Sequence, residues 1–524
     1  MAYILLFLFT FLLSSLLYHL LLGKKRSHKS NKTITGSRLP PGPKGWPVLG
    51  NLLQLGLKPH QTLHALSRHY GPLFRLRFGS VDVIVAASGA VAAHFLRTHD
   101  ANFSDRPPTS GAEHVAYNYQ DLLFAPYGPR WRMLRKLCAV HLFSAKALDD
   151  LRPVREEEVA IFARNLNELA LSGGTVNLGK GLNVCATNAL ARAMIGRRVF
   201  CNAEDQGKAD EFKEMVAELM RLAGVFNVGD FVPWLKWMDL QGVVGKMKRL
   251  HRKFDAFFNE VIEEHEVKEG GDQKGKGSSR DLLSVLIGLK KDGADEEYGC
   301  SFTNTDIKAL LLNLFTAGTD TSSSTVEWAL AELIHHPDIL KKAQEELDSV
   351  VGRNRLVLES DLPKLPLLHA IVKENFRLHP ATPLSIPRLA SEECIVDGYL
   401  IPKNATLLVN VWGIAHDPGV WSDPLEFRPA RFLPGGENEH VDVKGNNFEL
   451  IPFGAGRRIC AGMNLGVKMI QFLTATLVHA FDWTLPQGLD AQKLDMEEAY
   501  GLTLQRAAPL VVHPVPRLAP QAYQ

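Results

Sequence analysis

Ten residues, Phe453-Gly454-Ala455-Gly456-Arg457-Arg458-Ile459-Cys460-Ala461-Gly462, constrain this chain more than any other stretch, because they set one cysteine where a glycine-rich loop enters a helix. Gly454 and Gly456 let the loop turn tightly, and Gly462 removes a side chain where the following helix must approach closely. That helix spans Gly462 to Phe481, with Leu465, Met469, Phe472, Leu473 and Leu477 at near-helical spacing. A cysteine entering a helix meets free backbone N–H groups, and nearby guanidinium groups lower its proton affinity further. Cys460 has that setting and reads as a thiolate ligand of iron, with Arg458 placed to reach a negative group on a cofactor and Phe453 to shield the sulfur from water. The alternative, a structural cysteine in a turn, is adopted for Cys138, Cys185, Cys201, Cys300 and Cys394. No two of the six cysteines form a C-x-x-C pair, so zinc ribbons and thioredoxin chemistry have no support.

Three further patterns carry chemistry. Glu374 and Arg377, inside the run Leu367 to Leu378, are three residues apart and share a helix face, so carboxylate and guanidinium can pair. Thr303 to Ile334 reads as one long helix with Ala317-Gly318-Thr319-Asp320-Thr321-Ser322 at its centre. Threonine hydroxyls compete there for backbone carbonyls, so a local widening of the helix is expected, with a groove able to hold dioxygen. A solvated Ser/Thr face is the alternative; Leu311, Leu312, Leu314, Phe315, Trp328 and Leu330 favour burial. Pro129 to Val140 opens a helix with Trp131 and Arg135 one turn apart.

The cysteine segment matches F-x-x-G-x-R-x-C-x-G at every fixed position, and the chain resembles the cytochrome P-450 family over nearly its whole length. The resemblance implies the cytochrome P-450 fold, mainly α with a small β-sheet portion. It also implies haem b, iron protoporphyrin IX, with Cys460 as axial thiolate and Trp131, Arg135, Arg388, Phe453 and Arg458 around the haem. Arg431 would join Glu374 and Arg377 in a structural triad, with Ala430 in place of the family's usual acidic residue. Thr321 would hydrogen-bond dioxygen and Asp320 relay protons from solvent. A thiolate assists cleavage of the oxygen–oxygen bond, which favours a monooxygenase. No flavin or nicotinamide fingerprint is present, so the electrons of NADPH would arrive through a partner, NADPH–cytochrome P-450 reductase. On the neighbouring helix face, Arg132 and Lys136 either help dock an acidic electron donor or are solvated surface charge.

Within that family the chain is similar to the plant flavonoid 3'-hydroxylases, through Val83 to Ser88, Gly435-Gly436-Glu437, Val441 to Gly445 and Ala499 to Arg506, with Asn438 where that group has lysine. The similarity implies hydroxylation of the flavonoid B-ring beside a 4'-hydroxyl, on flavanones, dihydroflavonols, flavones or flavonols, in flavonoid and anthocyanin biosynthesis. A flavonoid 3',5'-hydroxylase, another phenylpropanoid or terpenoid hydroxylase, a haem-thiolate isomerase or dehydratase and a non-catalytic haem sensor remain alternatives. Candidate substrate contacts are Leu314, Ala317, Leu384 and Thr503, together with the loop Ser110 to Phe124. Thr503 either limits how far an already hydroxylated ring slides over the iron or is an ordinary strand threonine.

The charge distribution gives an address. Of 59 basic and 57 acidic residues, 11 basic and no acidic ones lie before Asp82. Ile4 to Leu22 is an uncharged, mostly apolar run of 19 residues followed by Lys24, Lys25, Arg26, Lys29 and Lys32. It is long enough to cross a bilayer, and the basic cluster places the N-terminus in the lumen and the body in the cytosol. A cleaved signal peptide is the lesser alternative, since no charged segment precedes the run. The expected organisation is a membrane anchor at 1–23, a basic and proline-rich hinge at 24–48 and a catalytic domain at 49–524, on the endoplasmic reticulum membrane. No nucleic-acid partner is expected. Strands are expected at Phe74 to Phe78 and Val83 to Val85, with sheet returning near Leu384 to Leu389, Ala405 to Val411 and Leu502 to Val512. Lys268 to Arg280 reads as a solvated connector.

Overall fold

A helix that is apolar on nearly every face has to be buried. In a computed structural model of the chain the 32-residue helix Asn304–His335 is such an element, with Ile307, Leu310, Phe315, Trp328 and Leu333 fully buried. Thr303 caps it: its hydroxyl accepts from Asp306 N while the Asp306 carboxylate accepts from Thr303 N, so two otherwise orphaned donors are satisfied. The structure describes residues 10, 11, 14, 38–200, 206–271, 281–291, 302–486 and 489–524. The described chain is mainly helical with small sheets and divides into two compact units.

The first unit comprises Met1–Ser110, Phe226–Val243 and Leu384–Ile414. Its four-stranded sheet pairs Leu73–Phe78 antiparallel with Val81–Ala86, which runs parallel to Thr406–Val409, in turn antiparallel to Arg388–Leu389. Gly79 makes the first turn with φ +53°, and a Cβ there would collide with the Phe231 carbonyl. A hairpin not foreseen from the sequence, Cys394–Val396 with Tyr399–Ile401, turns through Asp397 and Gly398 at φ 49° and 78°. The described part of the 24–48 hinge, from Arg38, is docked rather than free: Pro41 O accepts from Arg75 N at 2.7 Å. Ile4 to Leu22 lies outside the described residues except for 10, 11 and 14, and among the described residues no helix is long and apolar enough to cross a membrane. Leu384 is buried in this unit, as is Arg388, which pairs with Asp100 at 3.3 Å. Burial pulls the Arg388 guanidinium down to about 10 while Asp100 holds it up.

The second unit comprises Gly111–Val225, Val244–Pro383 and Ala415–Gln524. Its core joins the central helix to Arg152–Leu171, Leu178–Ile195, Pro366–Leu378 and Met463–Ala480 through Phe162, Leu182, Leu330, Ile371 and Leu473. A three-stranded sheet, Val176–Asn177, Val511–Pro516 and Phe481–Thr484, closes one edge of that core. The connector expected at Lys268 to Arg280 begins later than the sequence suggests. Its first four residues, through Gly271, continue the helix Val243–Gly271, and 272–280 lie outside the described residues.

Glu374, Arg377 and Arg431 are fully buried together. Arg377 grips Glu374 with two hydrogen bonds of 2.7 and 2.8 Å, and Arg431 Nε reaches it at 3.2 Å. The remaining guanidinium protons go mostly to carbonyls, with one second carboxylate at the rim: Arg377 donates to the carbonyls of Ala415, Pro424 and Glu426, and Arg431 to those of Ser422 and Asp423 and to the half-exposed Glu437 side chain at 2.6 Å. A buried ion cluster is tolerable only when its spare donors are satisfied in this way, and removing one partner leaves an uncompensated charge. Glu374→Gln should therefore destabilise the protein by about 3–5 kcal/mol. Thermal denaturation of the haem-loaded protein checks this; a transition unchanged from the parent would show that the cluster is not a keystone.

Candidate active site

The cysteine loop takes its shape from two glycines. Gly454 and Gly456 both adopt φ +70°, a left-handed conformation that other residues resist, and Gly456–Arg458 forms a single 3₁₀ turn. Cys460 N donates to Phe453 O at 3.0 Å, closing the loop just before the helix Met463–Ala480. Gly462 differs from expectation. A Cβ there would meet only Phe143, at an ordinary 3.5 Å, so protein packing does not demand a glycine at that point.

Cys460 is exposed and lines an open cavity of ≈ 220 Å³ with Arg135, Ala139, Phe143, Met463 and Asn464. Desolvation by the surrounding protein pushes its thiol up, while a hydrogen bond from the Gly462 N–H and the nearby Arg135 charge pull it down. The helix Pro129–His141 supplies both Trp131 and Arg135. Arg135 Nη1 donates to Ile459 O at 2.6 Å, tying that helix to the residue before the cysteine. Arg458 lies 4.6 Å from the Trp131 ring centroid and donates to Ala125 O at 2.6 Å; Arg135 lies 6.0 Å from the same ring. Phe453 packs edge-on against Phe376 at 5.2 Å.

These residues fit a haem. The thiol has an N–H and a guanidinium beside it, the two arginines at Trp131 suit carboxylate side arms, and Gly454 has open space where a side chain would stand, as a loop beneath a flat ring requires. When bound, haem on a thiolate supplies dioxygen activation and oxygen insertion.

The central helix stays α-helical throughout, so the expected widening is not found. Its hydroxyls supplement the helix rather than disrupt it: Thr316, Thr319, Thr321, Ser323 and Thr325 each donate to the carbonyl four residues earlier, at 2.6–2.8 Å. One stripe of this helix is open, with Ala317 exposed and Thr321 half-buried one turn on, whereas Leu314 is buried. Asp320 is buried and turned toward the segment 503–506. Burial pushes its carboxyl above the usual range, against hydrogen bonds from Thr503 and Gln505 that pull the other way.

Thr503 lies in a bend rather than a strand, with its hydroxyl 3.9 Å from the Met220 sulfur. The backbone of Gly501 and Leu502 presses so closely on Gly224 that a Cβ there would come within 2.3 Å of Leu502 N. Within the second unit the structure thus brings together Cys460, Phe453, Arg458, Trp131 and Arg135 in one group, and Asp320 and Thr503 in another. Arg388 and Leu384 belong to the first unit.

Two features escaped the sequence reading. Gln505 Nε2 donates to both Asp320 oxygens, at 3.0 and 3.2 Å, from the short strand that follows the bend at Thr503, a long-range contact with no local signal in the sequence. Asn313 pins the loop that follows Gly111: its Nδ2 donates to Asp121 at 2.8 Å and its Oδ1 accepts from Leu123 N at 3.0 Å. That loop passes through three successive left-handed residues, Tyr117, Asn118 and Tyr119.

Comparison with known proteins places the chain. The cytochrome P-450 family model matches residues 40–511. A flavonoid 3'-monooxygenase of Crocosmia x crocosmiiflora is 71% identical over 100% of both chains. A flavonoid 3'-monooxygenase of Oryza sativa subsp. japonica is 68% identical, over 93% of this chain and 92% of its own. A flavonoid 3',5'-hydroxylase of Crocosmia x crocosmiiflora is 61% identical, over 98% of this chain and 96% of its own. A family match that takes in the cysteine loop, the buried arginine cluster and the central helix alike makes the chain a member of the cytochrome P-450 family, a haem-thiolate monooxygenase.

Proposed function

We propose that this monooxygenase hydroxylates flavonoids on the B-ring at the 3' position, beside an existing 4'-hydroxyl, with dioxygen and electrons drawn from NADPH through a reductase. The observation that carries this reading is the 71% identity, end to end, with a relative bearing that name, ten points above the 3',5'-hydroxylase of the same plant. The residues supply consistent parts. Exposed Ala317 leaves room on the open stripe of the central helix for a planar ring. Asp320, kept toward its protonated form by burial, suits a relay that takes protons from solvent, and Thr321 one residue on can orient the oxygen substrate. Thr503 keeps a branched, hydroxyl-bearing side chain beside that acid.

Reconstitution with reductase and NADPH tests the reading on naringenin, dihydrokaempferol, apigenin and kaempferol. The expected product carries one added hydroxyl at 3'. A 3',5'-dihydroxylated product would favour the second reading, to which the 61% identical 3',5'-hydroxylase lends weight, and no conversion of any of the four would reject both.

The reductase reading is supported by exposed Arg132 and Lys136 on the helix that also carries Arg135, a basic face suited to an acidic electron donor. The location proposed is the endoplasmic reticulum membrane, with Ile4 to Leu22 as a single-pass anchor and the catalytic body in the cytosol. An alkaline carbonate wash of microsomes should leave the full-length protein in the membrane pellet; its release into the supernatant would contradict integral anchoring.

A further inference from the structure

The central helix and the segment Thr503–Arg506 are joined by a regular stripe of polar contacts. Asp320, Ser324 and Trp328 recur every four residues and so share one helix face. Asp320 accepts from Gln505 Nε2, while Ser324 Oγ and Trp328 Nε1 both donate to Leu504 O, at 3.0 and 3.3 Å. Arg506 continues the row, 5.1 Å over the Trp328 ring. The segment is held from its other side by Leu504 N donating to Ala381 O at 2.8 Å and by the strand pair Gln505–Arg506 with Glu498–Ala499. Gln505 is thus fixed at its backbone and spends its amide on one carboxylate.

We infer that Gln505 is a positioning residue for proton delivery: its side-chain amide fixes the rotamer of Asp320 and couples that acid to the buried bend at Thr503 two residues earlier. The inference rests on the proposed role of Asp320 as the proton relay. An ionised carboxyl that accepts from two directed donors has one favoured orientation, whereas the same group with a donor removed is free to rotate and is harder to ionise. Because Gln505 holds Asp320 and follows Thr503 by two residues, displacement of the segment 503–505 by a poorly seated ring would also disturb the acid. The bend thereby gives substrate fit a route to proton supply.

Gln505→Met keeps the side chain's length and removes its N–H. In the full-length haem-loaded enzyme it should leave KM within about twofold and lower kcat about tenfold, with product formed per NADPH consumed falling in step, the scale expected for losing a hydrogen bond to a charged group. The limb of the kcat profile set by Asp320 should move to higher pH, because the amide favours the ionised form. Glu327 and Arg506 are the other charged groups of this cluster, and both are unaltered in the variant. In an Asp320→Asn background the same substitution should cost nothing further. Unchanged product per NADPH and pH profile, a raised KM at constant kcat, or a full additional loss beside Asp320→Asn would each overturn the inference. Should Gln505→Met fail to retain haem, Gln505→Leu carries the same comparison, since it withdraws the donor without adding a charge. The two readings separate cleanly. If Asp320→Asn couples NADPH to product as the parent does, the relay itself falls; if Asp320→Asn uncouples and Gln505→Met does not, only the positioning role falls.

Discussion

One carboxylate, Glu374, organises the second unit by holding two buried guanidinium groups at once. Its worth lies less in Coulomb attraction, which desolvation largely cancels, than in the geometry it forces on Arg377 and Arg431. Those two arginines then gather the carbonyls of Ala415, Ser422, Asp423, Pro424 and Glu426, so a stretch with little regular structure is pinned by side chains in place of a backbone ladder. Phe376, on the same helix as Glu374, presses its ring on Phe453 at the start of the cysteine loop. The ion cluster and the cysteine loop are therefore one mechanical assembly, and the position of the sulfur depends on a charge network the sulfur never touches.

A different logic governs the central helix. Its hydroxyls turn inward onto their own carbonyls, which leaves the helix regular and its polar centre largely self-satisfied. Ser324 reaches outward to Leu504 O, and Asp320 must look outward for donors too, because a carboxylate has no proton to give back to a carbonyl. It finds them on the segment 503–506. Asp320 on the central helix and Thr503 at the start of that segment are thereby held close together, although 183 positions separate them in the chain.

Much of this was legible in the residues. The cysteine loop, the pair Glu374 and Arg377, and the long helix beginning at Thr303 are local patterns, and local spacing is enough to read them. The hairpin turning at Asp397-Gly398 is also written locally, as a two-residue turn between short apolar runs, but its three-residue strands give little alternation to see. Gln505 is a harder case: nothing in a Thr-Leu-Gln-Arg run says that the glutamine meets a carboxylate 185 positions earlier. The continuity of the central helix was misjudged because threonine can either break or decorate a helix, and only the surrounding packing decides which. Glycine misled once too, at Gly462, where no protein atom crowds the position.

The chemistry of this enzyme depends on the Cys460 sulfur as the iron's ligand. The direct measurement is the carbon monoxide difference spectrum of the reduced full-length protein, beside that of Cys460→Ser. The parent should give the long-wavelength band of a thiolate-ligated haem, and the variant should lose it. A parent band characteristic of imidazole ligation, or a thiolate band that survives in Cys460→Ser, would contradict the assignment of this site.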